Sequence, residues 1–531
     1  MTQAHHFDPS ILREYDVRGI FGETLFPADA RAIGRSFAAF VLETLSAGAH
    51  GLKLDQPGSG NAGRDICQAG KSGVQGSAPG DLKMDGPGAA EAGSDGFVMA
   101  AGVDHSADPA TVVVGRDGRL SSPELEQALV AGLVEGGVDV IRIGLAATPM
   151  LYFAEASTPQ VHGGIQVTGS HNPADHNGFK LVLGGAPYFG EQIARLGARC
   201  AVGAGTVPDR PGRIREHDVL PVYVAALLAG LEGIQPNDVA ALRIGWDAGN
   251  GAAGPALERL TSLLPGEHHL LFSEVDGRFP NHHPDPTVEA NLADLRALVA
   301  AKNLDFGVAF DGDADRLGVI DALGRVLDAD ALLAIFAHDV LLRHPGARVI
   351  ADVKASRAVF DAVTALGGVA EMAPSGHSHI KSRMKQTGAL LGGETSGHFF
   401  FADDWFGFDD GLYAAVRLIA AVVGSATPLA DLRDAMPHTC TTPELRFTVA
   451  ETRKFAVINE VRARLAASGA QVNDLDGVRV DTADGWWLLR ASNTQAALTA
   501  RAESDTPEGL ERLVGRIDAQ LAASGVSRTP A

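Results

Sequence analysis

Cysteine is scarce in this chain: three among 531 residues, Cys67, Cys200 and Cys440, far apart and without the spacing of a metal site. An odd, scattered set argues against a disulfide framework and predicts reduced thiols in a cytoplasmic protein. No stretch approaches the roughly 20 apolar residues that a membrane helix needs, and the start, MTQAHHFDPS, lacks a charged-then-apolar leader. Basic residues are outnumbered, 44 Lys and Arg against 65 Asp and Glu, for a formal net charge of −21. That deficit argues against nucleic acid or an anionic membrane as the main partner. It leaves room for a small site that gathers a few cations around an anionic substrate. A monomer or weak dimer acting on small molecules is expected.

Large apolar residues are also missing from one segment. Residues 46–110 are rich in Gly, Ala, Ser and Asp, as in QPGSGNAG and DGPGAAEAGSDG. Such composition does not offset its own ordering entropy, so a flexible insertion is expected between a helix near 29–45 and a strand at 111–115. Elsewhere the order is strand, Gly or polar loop, helix, strand. TVVVG (111–115) leads through GRDGRLS to a helix from about Pro123, with Ser122 as its N-cap and Gly136-Gly137 as its stop. Similar units start at LRIGWDAGNG (242) and RVIADVKASR (348). A chain this long needs several cores, and three α/β units followed by a different pattern after 437 predict three related domains and a smaller α+β one.

Two motifs lead elsewhere when read alone. GKS at 70–72 lacks the P-loop's first glycine, because Asp65 stands there. Gly249-Asn-Gly251-Ala-Ala-Gly254 satisfies the dinucleotide-binding fingerprint, with Glu274 placed as a ribose-binding acid, so a Rossmann-type oxidoreductase stays open beside a plain tight turn. Hydrolase chemistry of the G-x-S-x-G kind fails at Ser170, flanked by Thr168 and Asn172.

The strongest chemical signal is FGVAFDGDADRLGVID (306–321), which puts Asp311, Asp313 and Asp315 into one turn between strands. Carboxylates this close repel, and a divalent cation neutralises them; a solvated acidic turn is the alternative. Arg316 beside them suits a phosphate oxygen. A further oxygen ligand is available from Ser170, in the turn Thr168-Gly169-Ser170-His171-Asn172-Pro173, with Lys180 nearby. That serine is either a phosphoryl acceptor or a simple turn residue. Glu394, Thr395, Ser396 and His398 in GGETSGH, and Arg490, Ser492, Asn493, Thr494 and Arg501 further on, suit a hydroxyl-rich anion. His377 and His379 are acid–base or phosphate-contact candidates, or surface residues.

Nine motifs together carry a family resemblance: EYDVRG (14–19), TGSHNP (168–173), NGFK (177–180), FPNHHPDP (279–286), DGDADR (311–316), DVKASR (352–357), GHS (376–378), GETSGH (393–398) and RASNT (490–494). In this order the chain resembles the α-D-phosphohexomutases, most of all the bacterial phosphomannomutase/phosphoglucomutase branch. The likeness spans nearly everything except 46–110. It implies α/β architecture: three related domains with mixed sheets and a smaller α+β C-terminal domain around a central cleft, divided at 1–215, 216–325, 326–437 and 438–531. It implies a phosphoserine at Ser170, and Mg²⁺ on Ser170, Asp311, Asp313 and Asp315. Tyr15, Arg18, His171, Lys180 and Arg316 would surround the transferred phosphoryl group, with Lys180 an acid–base partner. Lys354 and His377 would line the substrate side, and Glu394 and Ser396 would bind sugar hydroxyls. Arg490, Ser492, Asn493 and Thr494 would hold the phosphate not being transferred. The implied reaction interconverts hexose 1- and 6-phosphates through a hexose 1,6-bisphosphate. A glucosamine-phosphate mutase of the same family is the alternative sugar, although Asn493 stands where those enzymes usually carry Gly. Gly169 and Ala314 replace residues often Ala and Gly in relatives.

Overall fold

The computed structural model describes residues 4–49, 109–203, 210–492 and 496–527. The first long helix is Pro27–Ala49, so residues 46–49 complete a helix, and the expected insertion lies outside the described residues from 50 to 108. Four sheets follow in chain order, each with its own helices. No helix among the described residues is long and apolar enough to cross a membrane.

The first three sheets share one plan. In the first, Thr111–Arg116 lies parallel to both Asp139–Leu145 and Gly163–Val167, and Gly163–Val167 turns back antiparallel into His176–Leu183. In the second, Arg243–Asp247 lies parallel to Glu267–Leu271 and Phe306–Phe310, which turns back into Leu317–Asp321. In the third, Arg348–Asp352 lies parallel to Val369–Ala373 and Leu391–Gly393, which turns back into Phe399–Phe401. Each sheet is therefore mixed, as expected. The inner strands are apolar throughout, VVV at 112–114 and FGVAF at 306–310, because helices cover both faces. The fourth sheet is antiparallel, with Val478–Thr482, Gly485–Ala491 and Ala497–Ser504 in succession and Leu445–Thr448 on its far side. Helices Lys454–Ala467 and Pro507–Ala522 contribute to its core.

This plan places the site. The antiparallel hairpins turn at 168–175, 311–316 and 394–398, and in the fourth sheet the strand Gly485–Ala491 carries Arg490 of RASNT. Those places hold the four polar motifs singled out in the sequence. One boundary differs from expectation: the helix is Ser122–Glu135, with Ser121 before it. The Ser122 hydroxyl donates to Asp117 and is not a cap.

Candidate active site

Ser170 sits at a hairpin tip with φ 51° and is 2% exposed. Its amide donates to Thr168 Oγ1 (2.8 Å), whose hydroxyl donates to Asp117 Oδ2 (2.8 Å). Arg119, fully buried against Asp117, donates to the carbonyls of Ser170 (2.7 Å), Asn172 (2.6 Å), His176 (2.9 Å) and Pro173. Sequence reading quoted GRDGRLS only as a loop and missed this clamp.

The Ser170 hydroxyl donates to Asp311 Oδ2 at 2.9 Å and lies 3.2 Å from His171 Nδ1. Asp311, Asp313 and Asp315 are wholly buried, with ligand oxygens within 4.8 Å of one another. Burial, then the charges of Asp315 and Asp313, push the Asp311 carboxyl well above its ordinary value. Burial opposes the charge on Lys180, but Asp313, Asp315 and Asp311 outweigh it and push the ammonium up. Lys180 Nζ donates to Asp313 Oδ2 (2.7 Å) and to Asp315 Oδ2. Among the described residues, Asp313 Oδ1 and Asp315 Oδ1 remain buried with no hydrogen-bond partner. Orphaned carboxylate oxygens beside a serine oxygen fit a hard divalent cation.

Close backbone approach holds this loop. A Cβ on Gly312 would lie 2.5 Å from the Ser170 carbonyl, and one on Gly251 would lie 2.8 Å from the Gly312 carbonyl. The Gly249–Gly254 turn therefore abuts the aspartate loop, with the Ala252 amide donating to Gly312 O (3.0 Å). Glu274 accepts the Asn250 side-chain amide at its backbone carbonyl (2.8 Å). These glycines serve contact between loops, which accounts for the motif without a dinucleotide. FPNHHPDP joins them through His282, 3.0 Å from Asp247 Oδ2, and Asn281, which donates to Asn250 Oδ1 (2.7 Å).

Arg18 donates to Asn172 Oδ1 (3.0 Å) and to Asp16, while its buried Nε finds no partner among the described residues. His171 is held well below the ordinary imidazole value, first by burial and then by the charges of Arg316 and Arg18. Arg316 Nε donates to His398 Nε2 (3.0 Å). His398 Nδ1 lies 3.2 Å from Asp409 Oδ2, and its ring stacks on His377 with centroids 5.4 Å apart. Lys381 donates to Asp409 Oδ1 (2.7 Å). Burial and the Lys381 charge bring His377 down to about 4. Asp409 and Lys381 belong to this cluster, and neither lies in a motif that marks it in the sequence.

Glu394 is buried and accepts the Gly376 amide (2.7 Å), while Ser396 is half-buried at the same tip. Burial pushes the Glu394 carboxyl up. Tyr15 donates to the Ser375 carbonyl (2.8 Å), and Lys354 lies 3.4 Å from Asp352. Asp476, also missed, accepts both Arg490 Nε (2.9 Å) and the Ser375 amide (3.1 Å). Ser492 follows the strand Gly485–Ala491 that holds Arg490, and Asn493 and Thr494 lie outside the described residues. Arg501 stands two residues along its strand from Thr499, the partner of Arg490, and donates to Lys354 O (2.9 Å) and Asp330 Oδ2 (3.1 Å).

Comparison with known proteins finds the phosphoglucomutase/phosphomannomutase family along the chain. Its alpha/beta/alpha domain I matches residues 68–201, domain II residues 221–324, domain III residues 328–440 and the C-terminal domain residues 444–520. The chain is 44% identical over 402 residues to a phosphomannomutase/phosphoglucomutase of Pseudomonas aeruginosa, covering 76% of this chain and 85% of that protein. It is 44% identical over 414 residues to a phosphoglucomutase of Neisseria gonorrhoeae, covering 78% and 88%. A solved phosphoglucomutase/phosphomannomutase family protein from Burkholderia thailandensis superposes with a TM-score of 0.80 at 36% identity, over 98% of this chain and 99% of that one.

Proposed function

The chain belongs to the phosphoglucomutase/phosphomannomutase family of intramolecular phosphotransferases, and from that premise we propose that Ser170 is its reusable phosphoryl carrier. One observation supports this above all: the Ser170 hydroxyl, clamped at a strained hairpin tip, lies 2.9 Å from a buried three-aspartate cluster with unpartnered oxygens.

Asp311, Asp313, Asp315 and the Ser170 oxygen would hold Mg²⁺, which supplies charge stabilisation to the phosphoryl oxygens when bound. Arg18, with its free Nε, and Arg316, His171 and Lys180 surround the same position. Phosphorylated Ser170 gives its phosphoryl group to the free hydroxyl of a hexose 1- or 6-phosphate. The Oγ–P bond breaks, a sugar O–P bond forms, and the proton lost by the sugar hydroxyl is returned to the Ser170 oxygen. The hexose 1,6-bisphosphate reorients, and Ser170 takes the other phosphoryl group by the reverse step. Positioning and charge dominate such chemistry. Glu394 and Ser396 bind sugar hydroxyls, Lys354 and His377 line the substrate side, and Arg490, Ser492, Asn493 and Thr494 hold the resting phosphate. We divide the domains at 215, 325 and 437. The two relatives at 44% identity carry different sugar names, so we take mannose and glucose phosphates together as the substrate class.

Intact mass spectrometry with peptide mapping tests the carrier: one phosphoryl group on Ser170 is expected. Mg²⁺-dependent conversion of mannose 1-phosphate to the 6-phosphate, stimulated by a hexose 1,6-bisphosphate, should disappear in Ser170→Ala. Full activity in that variant would refute the assignment, and a strong preference for glucosamine 1-phosphate would change the sugar alone.

A further inference from the structure

The loop that carries Lys354 is shaped from outside its own domain. Residues 353–356 link the strand Arg348–Asp352 to the helix Arg357–Ala365. Three successive carbonyls in this link meet guanidinium donors of the C-terminal domain. Arg479 Nη1 donates to Val353 O (2.6 Å) and Ala355 O (2.9 Å), and Arg501 Nη1 donates to Lys354 O between them (2.9 Å). Glu503 Oε1 accepts the Arg357 amide at the end of the link (3.1 Å) and the Trp486 indole N–H (2.9 Å).

These groups share one face of the fourth sheet. Leu488 is paired across the strands with both Arg479 and Arg501, and Trp486 with Glu503, so all five side chains point the same way. The face is braced before it reaches the loop. Arg479 lies over the Trp486 ring, 3.7 Å from its centroid, and Arg501 is held by Asp330. Trp486 and Leu488 bury Val353 between them and the rest of domain 3. A link with little regular structure of its own thus has its main chain set by buried charges from a neighbouring domain.

We infer that Arg501 is a positioning residue for Lys354. By gripping the Lys354 carbonyl it fixes the φ/ψ of that residue and so the direction in which the ammonium enters the cleft. Seating of the C-terminal domain then completes two features at once, the Arg490 phosphate site and the placement of Lys354. Separation of that domain releases both. The inference rests on the proposed substrate-side role of Lys354. It differs from a phosphate-binding Arg501, which would act on the ligand directly.

A double-mutant cycle distinguishes the two. In the mutase assay, Arg501→Gln and Lys354→Met are each expected to lower kcat/KM by about 10-fold or more, while the double variant stays within about 2-fold of Lys354→Met alone. Multiplying losses would overturn the inference, as would unchanged kinetics in Arg501→Gln. Arg501→Lys, which keeps the charge against Asp330, serves if the glutamine variant does not fold. Hydrogen exchange gives a reading that needs no turnover. The amides of Val353, Ala355 and Arg357 should exchange faster in Arg501→Gln than in the native chain, with those of the Ser170 loop unchanged. Unaltered exchange at 353–357 would refute the positioning role even in a fully active enzyme. Additive kinetics in an active mutase would refute it and leave the family reaction intact.

Discussion

Arg119 shows how much of the site rests on a side chain that need never touch substrate. One planar guanidinium serves four carbonyls of the Ser170 hairpin while its Nε is held by Asp117. Lysine offers a compact charge with three donors and cannot reproduce that fork. Arg119→Lys should therefore lose about 2–4 kcal/mol of stability, since buried carbonyls and Asp117 are left partly unpaired. kcat should fall as well, because the Ser170 oxygen would no longer be fixed against the aspartates. Urea denaturation and steady-state kinetics check both effects. Native values in both would mean that the loop holds its shape without the clamp. Ala314 belongs to the same scale. At φ 62° it takes a conformation that glycine adopts without strain, yet its methyl group is fully buried. Strain of about 1–2 kcal/mol is thus offset by burial of about 0.8 kcal/mol and by a less flexible unfolded chain, which makes alanine tolerable there.

At the scale of elements, the hairpins put every polar loop at an equivalent place, and the helices lock them there. The helix Gly411–Ser425 starts at Asp410, which accepts the Tyr413 amide and the Tyr223 hydroxyl, each at 2.9 Å. Burial pushes the Asp410 carboxyl from 3.8 up to about 7, against those hydrogen bonds. The folded protein therefore holds a proton there that the unfolded chain releases. This contribution to stability is full below about pH 4 and is lost as pH rises through about 7. Asp410→Asn keeps an acceptor for the helix and removes the charge. It should raise stability at pH 8 by about 1–3 kcal/mol and flatten the fall between pH 5 and 8. Asp330, pushed up to about 7 mainly by burial, keeps part of that slope in both proteins, so the difference in slope is what urea titrations must show. Equal slopes would mean that Asp410 is ionised throughout. Strands and loops of this kind were legible in the sequence, since FGVAF, a polar tip and LGVI announce a hairpin. The partners that brace the tips were not. Asp409 and Lys381 are 28 residues apart, and Arg119 and Ser170 are 51 apart, so no local pattern joins them. The contacts of Arg501 were hidden for a related reason: it shares a strand face with Arg490, but two residues carry it about 6–7 Å along the strand, onto residues 330 and 354.

The whole molecule is unevenly joined. One apolar core, with members from Val113 to Leu429, joins the facing sides of the first three sheets, while their other faces pack in smaller cores of their own. The C-terminal domain has a separate core, from Phe447 to Val526. The apolar bridge between them is small: Val353 against Trp486 and Leu488. Beside it lie polar contacts, the arginine grip on residues 353–355 and Asp476 against Ser375. A small domain buries a lower fraction of its surface than a large one, and polar contacts between domains resist denaturant less than a shared core. The C-terminal domain should therefore unfold first. Hydrogen exchange in increasing urea is expected to strip protection from 447–526 while 111–429 remains protected. A hexose 1,6-bisphosphate that spans the Ser170 and Arg490 sites should bring the two transitions together, because it binds only when both are in place. Loss of protection along the whole chain at one urea concentration, without ligand, would show a single cooperative unit. The C-terminal domain would then be no hinged cover, and its seating could not control when Lys354 and Arg490 meet the substrate.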